Sequence, residues 1–209
     1  YLNNDIQYGS KYISKRIFDI FFSIIFLFLA GPFFLLTSLY ILISAGSPVL
    51  NKQIRVGLHG ENFILYKLRT MNNDSHNLRD DLKEQNEKSG PLFKMSDDPR
   101  FIKGAKYLRK LSLDELPQLI NVLKGDMSLV GPRPLFPEDN EFYDHNYLRR
   151  LNVLPGITGL LQINDRNTSS FEIWYKYDLE YIENWNLLLD LKILLKTPFV
   201  LFKKSTLGK

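Results

Sequence analysis

Residues 26–36, FLFLAGPFFLL, set a glycine and a proline in the middle of the most apolar part of the chain. From Ile17 to Ile43 the only plainly polar side chains are Asp19, Ser23, Thr37 and Ser38. One helix over that run would be roughly 40 Å long, enough to cross a hydrocarbon core of about 30 Å. Pro32 removes the hydrogen bond to the Phe28 carbonyl and clashes with it, at about 3 kcal/mol in a straight helix, and Gly31 loosens the backbone beside it. A sharp bend is expected there. The arms Ile17 to Ala30 and Phe33 to Ile43 are then roughly 21 and 16 Å long, too short to span singly. Lys11, Lys15 and Arg16 precede the run and Lys52 and Arg55 follow it. Positive charge at both borders places both ends on the cytoplasmic side. The expectation is a re-entrant membrane helix hairpin over residues 11–46; a spanning helix with a tolerated proline kink is the alternative. Lys15, Arg16 and Asp19 lie about one turn apart, where they can pair at the interface and meet lipid headgroup phosphates.

A chain of 209 residues suffices for one domain with a real core. Its 27 basic and 23 acidic side chains leave a formal charge of +4, which suits an anionic membrane surface or a phosphorylated substrate better than nucleic acid. With no cysteine, disulfides and thiolate metal sites are excluded. His59, His76 and His145 show no metal-ligand spacing and read as surface or turn residues. No small-residue cleavage site follows the apolar run before Gly31-Pro32, so no cleavable signal peptide is expected. The chain opens on Tyr1, which suggests a trimmed chain or one domain of a longer protein.

Beyond the apolar run, residues 48–71 read as two extended segments around a turn at Gly57 to Gly60, a small β-hairpin. Asn72 to Ser89 is polar and charge-mixed, a loop or a solvated helix. Residues 98–125 carry helical spacing that ends at Gly125 as a C-terminal cap, with Lys103, Lys106, Arg109 and Lys110 near one face, either solvated or a wall that attracts phosphate. At the other end of the chain, apolar runs holding Trp174 and Trp185 are interrupted by Asp190, Lys192 and Lys196. Amphipathic helices lying in the membrane interface, with aromatic anchors, are expected; core helices of a soluble domain are the alternative. The fold class is α+β, mainly helical, in one domain over residues 1–209.

The stretch LSLDELPQL offers the richest chemistry. Ser112 followed by Glu115 at the third position matches a capping box, but Pro117 would then sit well inside the helix. A helix starting nearer Pro117 leaves Asp114 and Glu115 at its mouth, as a nucleophile or metal ligands. Further on, Arg133 stands between Pro132 and Pro134, a rigid guanidinium suited to bidentate phosphate contact or else a solvated turn. Gly156 and Gly159 allow close backbone turns beside the polar cluster Asn164, Asp165, Arg166 and Asn167.

Taken in order, KRIFD, the proline-broken run, YKLRTM, DDPRF, SLDELPQLINVLKGDMSLVGPRP and PGITGLLQIN closely resemble the bacterial sugar transferases called monotopic phosphoglycosyl transferases, from Lys15 to about Lys196. The resemblance implies transfer of a sugar-1-phosphate from a UDP-sugar to polyprenyl phosphate with release of UMP, starting glycan assembly at the cytoplasmic face of the bacterial inner membrane. It makes Asp114 the nucleophile, Glu115 its partner, and Mg²⁺ the counter-ion of the diphosphate, held by Asp114 and Glu115. It assigns Lys67, Arg69, Arg109, Arg133 and Asp178 to substrate binding. Partners implied are UDP-sugar, polyprenyl phosphate and membrane lipids, with a homodimer allowed. The chain departs from the pattern at Gly31, where serine is usual, and at Leu154, Leu161 and Asp165, which bear on sugar preference. A non-catalytic membrane scaffold and a glycosyltransferase that releases UDP are the alternatives.

Overall fold

The computed structural model describes residues 10–72, 75, 95, 98–142 and 144–202. Helix α1, Ser10–Ala45, is followed by the antiparallel strands β1, Leu50–Val56, and β2, Asn62–Leu68. Their turn passes through Leu58–Gly60, with His59 at φ 54 and Gly60 at φ 81, so the expected β-hairpin is present. The expected loop over 72–89 lies, apart from Asn72 and Ser75, outside the described residues.

The helical stretch over 98–125 is broken into pieces: α2, Ala105–Lys110, a 3-10 turn at Leu113–Glu115, and α3, Gln118–Lys124. Gly125 ends α3 in the left-handed region at φ 96, as a C-terminal cap should. Strand β3, Ser128–Val130, pairs in parallel with β4, Gly156–Thr158. Helices α4, Leu160–Asp165, α5, Phe171–Asn184, and α6, Leu187–Phe202, complete the chain. The main core joins Leu65, Leu119, Val122, Met127, Leu129, Val130 and Ile193, so β2, α3, β3 and α6 share one interior.

Helix α1 is one helix of 36 residues with Pro32 inside it, at the place where the sequence leads one to expect the bend. The proline forfeits one hydrogen bond, its ring is exposed, and open space surrounds Gly31, so the helical bonds on either side persist. Lys15, Asp19, Ser23, Thr37 and Ile41 are buried at helical spacing along one stripe. Phe22, Phe26, Leu27 and Phe34 pack partly against the core, whereas other apolar side chains stand clear of it: Phe28 is 83% exposed and Ile43 77%. It is the one described helix long and apolar enough to cross a membrane.

The aromatic anchors expected in the C-terminal helices are turned inward. Trp174 packs with Leu135, Tyr147 and Leu161, and the Trp185 indole donates to Asp190 Oδ2 at 3.1 Å. The outer side of α6 instead shows Leu188, Leu195 and Phe199 among Lys192 and Lys196.

Candidate active site

Two local devices bring the acidic pair and its cations together. The first is Ser112, a non-glycine residue at φ 55, which reverses the chain after α2 and delivers Leu113–Glu115 as a tight turn. Such a conformation costs about 1–2 kcal/mol, and it is held by Arg166, whose Nη2 donates to Ser112 Oγ at 2.9 Å and to the Arg109 carbonyl at 3.1 Å. Ser112 makes no capping bond, and Pro117 leads directly into α3, so the later helix start is the one realised. The second is Asn121, fully buried on α3. Its amide donates to the Ile64 carbonyl at 2.7 Å and accepts from the Tyr66 N–H at 3.0 Å, imitating a neighbouring strand along β2. That fixes α3 against β2 and aligns Lys67 with the acidic turn.

The Lys67 ammonium then sits 2.9 Å from Asp114 Oδ2 and 3.4 Å from Glu115 Oε1. Arg133 Nη2 lies 2.6 Å from the same Glu115 oxygen. Asp114 is 1% exposed. Burial pushes the Glu115 carboxyl up, but the Arg133 and Lys67 charges and the Arg133 hydrogen bond outweigh it and hold it well below the usual carboxylate range. Glu115 in turn raises the Arg133 guanidinium against the effect of burial. Arg109 stacks on Phe101 with its guanidinium carbon 4.7 Å from the ring centre; burial lowers its pKa while Asp114 and Glu115 oppose the change.

Lys67, Arg109, Asp114, Glu115 and Arg133 are brought together along one cavity. Arg69 also lines it, but its guanidinium is committed to the Ala45 and Gly46 carbonyls and to the Ser47 carbonyl at 3.2 Å, closing the end of α1. Asp178 is placed elsewhere: its buried carboxylate accepts from the Tyr147 hydroxyl at 2.9 Å and pairs with Arg150 at 3.1 Å. Arg150 donates to the Arg133 carbonyl, so Asp178 supports the backbone of Arg133 instead of lining the cavity. Arg55 holds the next carbonyl, Pro134, at 3.2 Å.

Lys15 and Arg16 are corrected from headgroup contacts to internal ones. Lys15 is 3% exposed, with its ammonium 2.6 Å from Asp190 Oδ2, 3.3 Å from Asp19 Oδ1 and 3.2 Å from the Val130 carbonyl. Arg16 donates to the Val122 carbonyl at 2.9 Å and reaches the Leu123 carbonyl at the end of α3, where a helix favours a cation. Arg166 is the residue that sequence reasoning left unassigned. It was visible only as part of a polar cluster, because nothing in the sequence marks Ser112 as a left-handed residue in need of a donor.

The cavity has a volume of about 1750 Å³ and a dual lining. Lys67, Asp114, Glu115, Arg133 and Arg166 supply charge, whereas Phe26, Leu29 and Phe33 of α1 and Leu194 and Leu201 of α6 supply apolar wall. Asp114 Oδ2 is buried, with the Lys67 ammonium 2.9 Å away. Two adjacent carboxylates of this kind fit Mg²⁺, which takes one or two carboxylates and completes its shell with water and substrate phosphate oxygens. Among the described residues no group of three or more His, Asp or Glu side chains forms a cage that would hold it without such a substrate.

The family model of the bacterial sugar transferases matches residues 10–204. The chain is 45% identical to the protein named uncharacterized sugar transferase EpsL of Bacillus subtilis, over 88% of this chain and 85% of that one. It is 38% identical to undecaprenyl-phosphate galactose phosphotransferase of Salmonella typhimurium, over 98% of this chain but 44% of the relative. With UDP-glucose:undecaprenyl-phosphate glucose-1-phosphate transferase of Klebsiella pneumoniae it shares 39% identity, over 91% of this chain and 40% of the relative. The chain thus spans less than half the length of these last two. A match that runs almost end to end, on a chain that gathers the acidic pair and its cations in one cavity, places this enzyme in the bacterial sugar transferase family.

Proposed function

We propose that the chain transfers a sugar-1-phosphate from a UDP-sugar to polyprenyl phosphate, releasing UMP by way of a covalent intermediate on Asp114. The observation that carries the reading is the dual lining of the cavity: a diphosphate needs the cations, and an isoprenoid chain needs the apolar walls of α1 and α6. The names of the Salmonella and Klebsiella relatives supply the lipid carrier, and the latter a UDP-sugar.

The chemistry is two displacements at phosphorus. An Asp114 oxygen bonds to the phosphorus that bears the sugar, and the bond to the UMP oxygen breaks. A polyprenyl phosphate oxygen then attacks the same phosphorus and frees the carboxylate, leaving a polyprenyl diphosphosugar. Lys67 orients Asp114 and offsets its charge as the anionic donor approaches. Arg133, Arg109 and Arg166 provide positive charge for the diphosphate, and Glu115 keeps Arg133 and Lys67 in place. Mg²⁺ on Asp114 and Glu115 would neutralise diphosphate charge.

The same reading seats α1 as a re-entrant element in the cytoplasmic leaflet. Buried residues of its first half, Lys15 and Asp19, bind β3 and α6, and Ile41 of its second half packs with Leu68, Ile102 and Leu108. Both halves of the helix thus rest on one body, which supports a single side for both ends.

The test is product identity. UDP-sugar plus polyprenyl phosphate should yield UMP, whereas UDP would mean transfer of the sugar alone. Nucleotide sugar without acceptor should leave a phosphosugar adduct on the peptide 112–124. In Asp114→Asn the adduct should vanish and turnover should fall by about 10³-fold or more, as on removing other nucleophiles. Full turnover in that variant, or an adduct on Glu115, would refute the assignment.

A further inference from the structure

Four side chains around α2 play no part in the site. Lys103, Lys106, Tyr107 and Lys110 are all exposed, Tyr107 to 74%, and their spacing of three and four residues puts them on one face. The opposite face, Ala105 and Leu108, is buried against Ile41 and Leu68. Among the described residues, the Lys103 and Lys110 ammonium groups form no ion pair.

Position gives this face a meaning. The Tyr40 hydroxyl of α1 donates to the Lys103 carbonyl at 3.0 Å. Approach is so close that a Cβ at Gly104, which sits at φ +76, would stand 2.3 Å from that hydroxyl. Tyr40 is about one turn short of Ile43, where the apolar run ends, and α1 exposes Leu36, Leu39 and Ile43 around it. The lysine face therefore lies beside the boundary at which apolar surface gives way to polar, the depth of phospholipid headgroups in a bilayer that covers α1. An exposed tyrosine and long-stemmed lysines suit that depth. The cations first expected to serve there, Lys15 and Arg16, are occupied inside the protein.

We propose that Lys103, Lys106 and Lys110, with Tyr107, form a docking surface for the phosphate groups of anionic phospholipids in the leaflet that holds α1. The proposal rests on the membrane seating of α1 and not on the transfer chemistry. Anionic lipids gathered there steady the body over the bilayer, with Ser112 and the acidic turn directly following α2 in the chain.

Because the chain has no cysteine, single labels are clean. The full chain carrying bimane at Tyr107→Cys is placed in nanodiscs of phosphatidylglycerol and phosphatidylcholine in equal amounts, with bromine on one lipid or the other. Brominated phosphatidylglycerol should quench the label about twofold more than brominated phosphatidylcholine, and Lys103→Gln with Lys110→Gln should abolish the difference. A second label at Phe28→Cys should be quenched by both lipids in every variant, which reports seating of α1 separately. Equal quenching of the Tyr107→Cys label by both lipids, or none while the Phe28→Cys label is quenched, overturns the proposal. An unquenched Phe28→Cys label overturns the membrane seating and the proposal with it.

Discussion

Glu115 shares one oxygen between Arg133 at 2.6 Å and Lys67 at 3.4 Å, so its ionised form is part of the architecture. A carboxyl whose folded pKa is depressed adds stability above its unfolded pKa of about 4.3 and loses it as pH falls. The thermal stability gap between the wild type and Glu115→Gln should therefore be wide at neutral pH and close as the pH is taken below the ordinary carboxylate range. A gap that stays constant with pH would mean that the charge is not what matters. Arg133 is fixed along its backbone, its own carbonyl by Arg150 and the next by Arg55, so its planar head is presented in one place. A lysine there keeps the charge without the fork. Arg133→Lys should raise the KM for the nucleotide sugar by about tenfold, read from initial rates. An unchanged KM would return Arg133 to a solvated turn.

Among the elements, the parallel pair β3 and β4 has the least room. Gly131 and Gly156 meet backbone to backbone: a Cβ on Gly156 would stand 2.1 Å from the Gly131 nitrogen, and one on Gly131 would stand 2.5 Å from the Leu154 carbonyl. Gly131 begins the segment that carries Arg133, so the spacing of these strands is also the placement of the guanidinium. Gly156→Ala should cost about 1–3 kcal/mol, seen as a lower Tm, and should impair donor use more than Gly31→Ala, whose site is open. Equal effects of the two substitutions would show that the close approach has no consequence. The same logic explains α2 and α3. Periodicity suggested one helix, but a left-handed Ser112 and Pro117 divide it, and the division points Asp114 inward.

For the whole molecule, the long-range tie is Lys15, from the start of α1, to Asp190 in α6, with Asp19 receiving the Ser128 hydroxyl at 3.1 Å and the Leu129 N–H at 3.2 Å. In the proposed topology this tie keeps the first half of α1 on the side of the catalytic body. Pro32→Leu should send part of the population to a spanning arrangement, and Asp190→Leu added to it should send more, read by the accessibility of labels before Lys15 and after Lys52. Labels that stay on one side in the double variant would contradict that anchoring. Several features were determined by local sequence alone: the helical apolar run over 17–43, the Gly57 to Gly60 hairpin, the Gly125 cap, the adjacency of Asp114 and Glu115, and the family. Each depends on the residue types themselves or on neighbours within a few positions. Only the tertiary structure decided that Lys67 and Arg133 meet that pair, that Lys15, Arg16, Arg69 and Asp178 turn to internal partners, and that Arg166 holds Ser112. Those outcomes depend on partners from 18 to 175 positions apart, such as Glu115 with Arg133 and Lys15 with Asp190, and helical or strand periodicity carries no record of which partner wins.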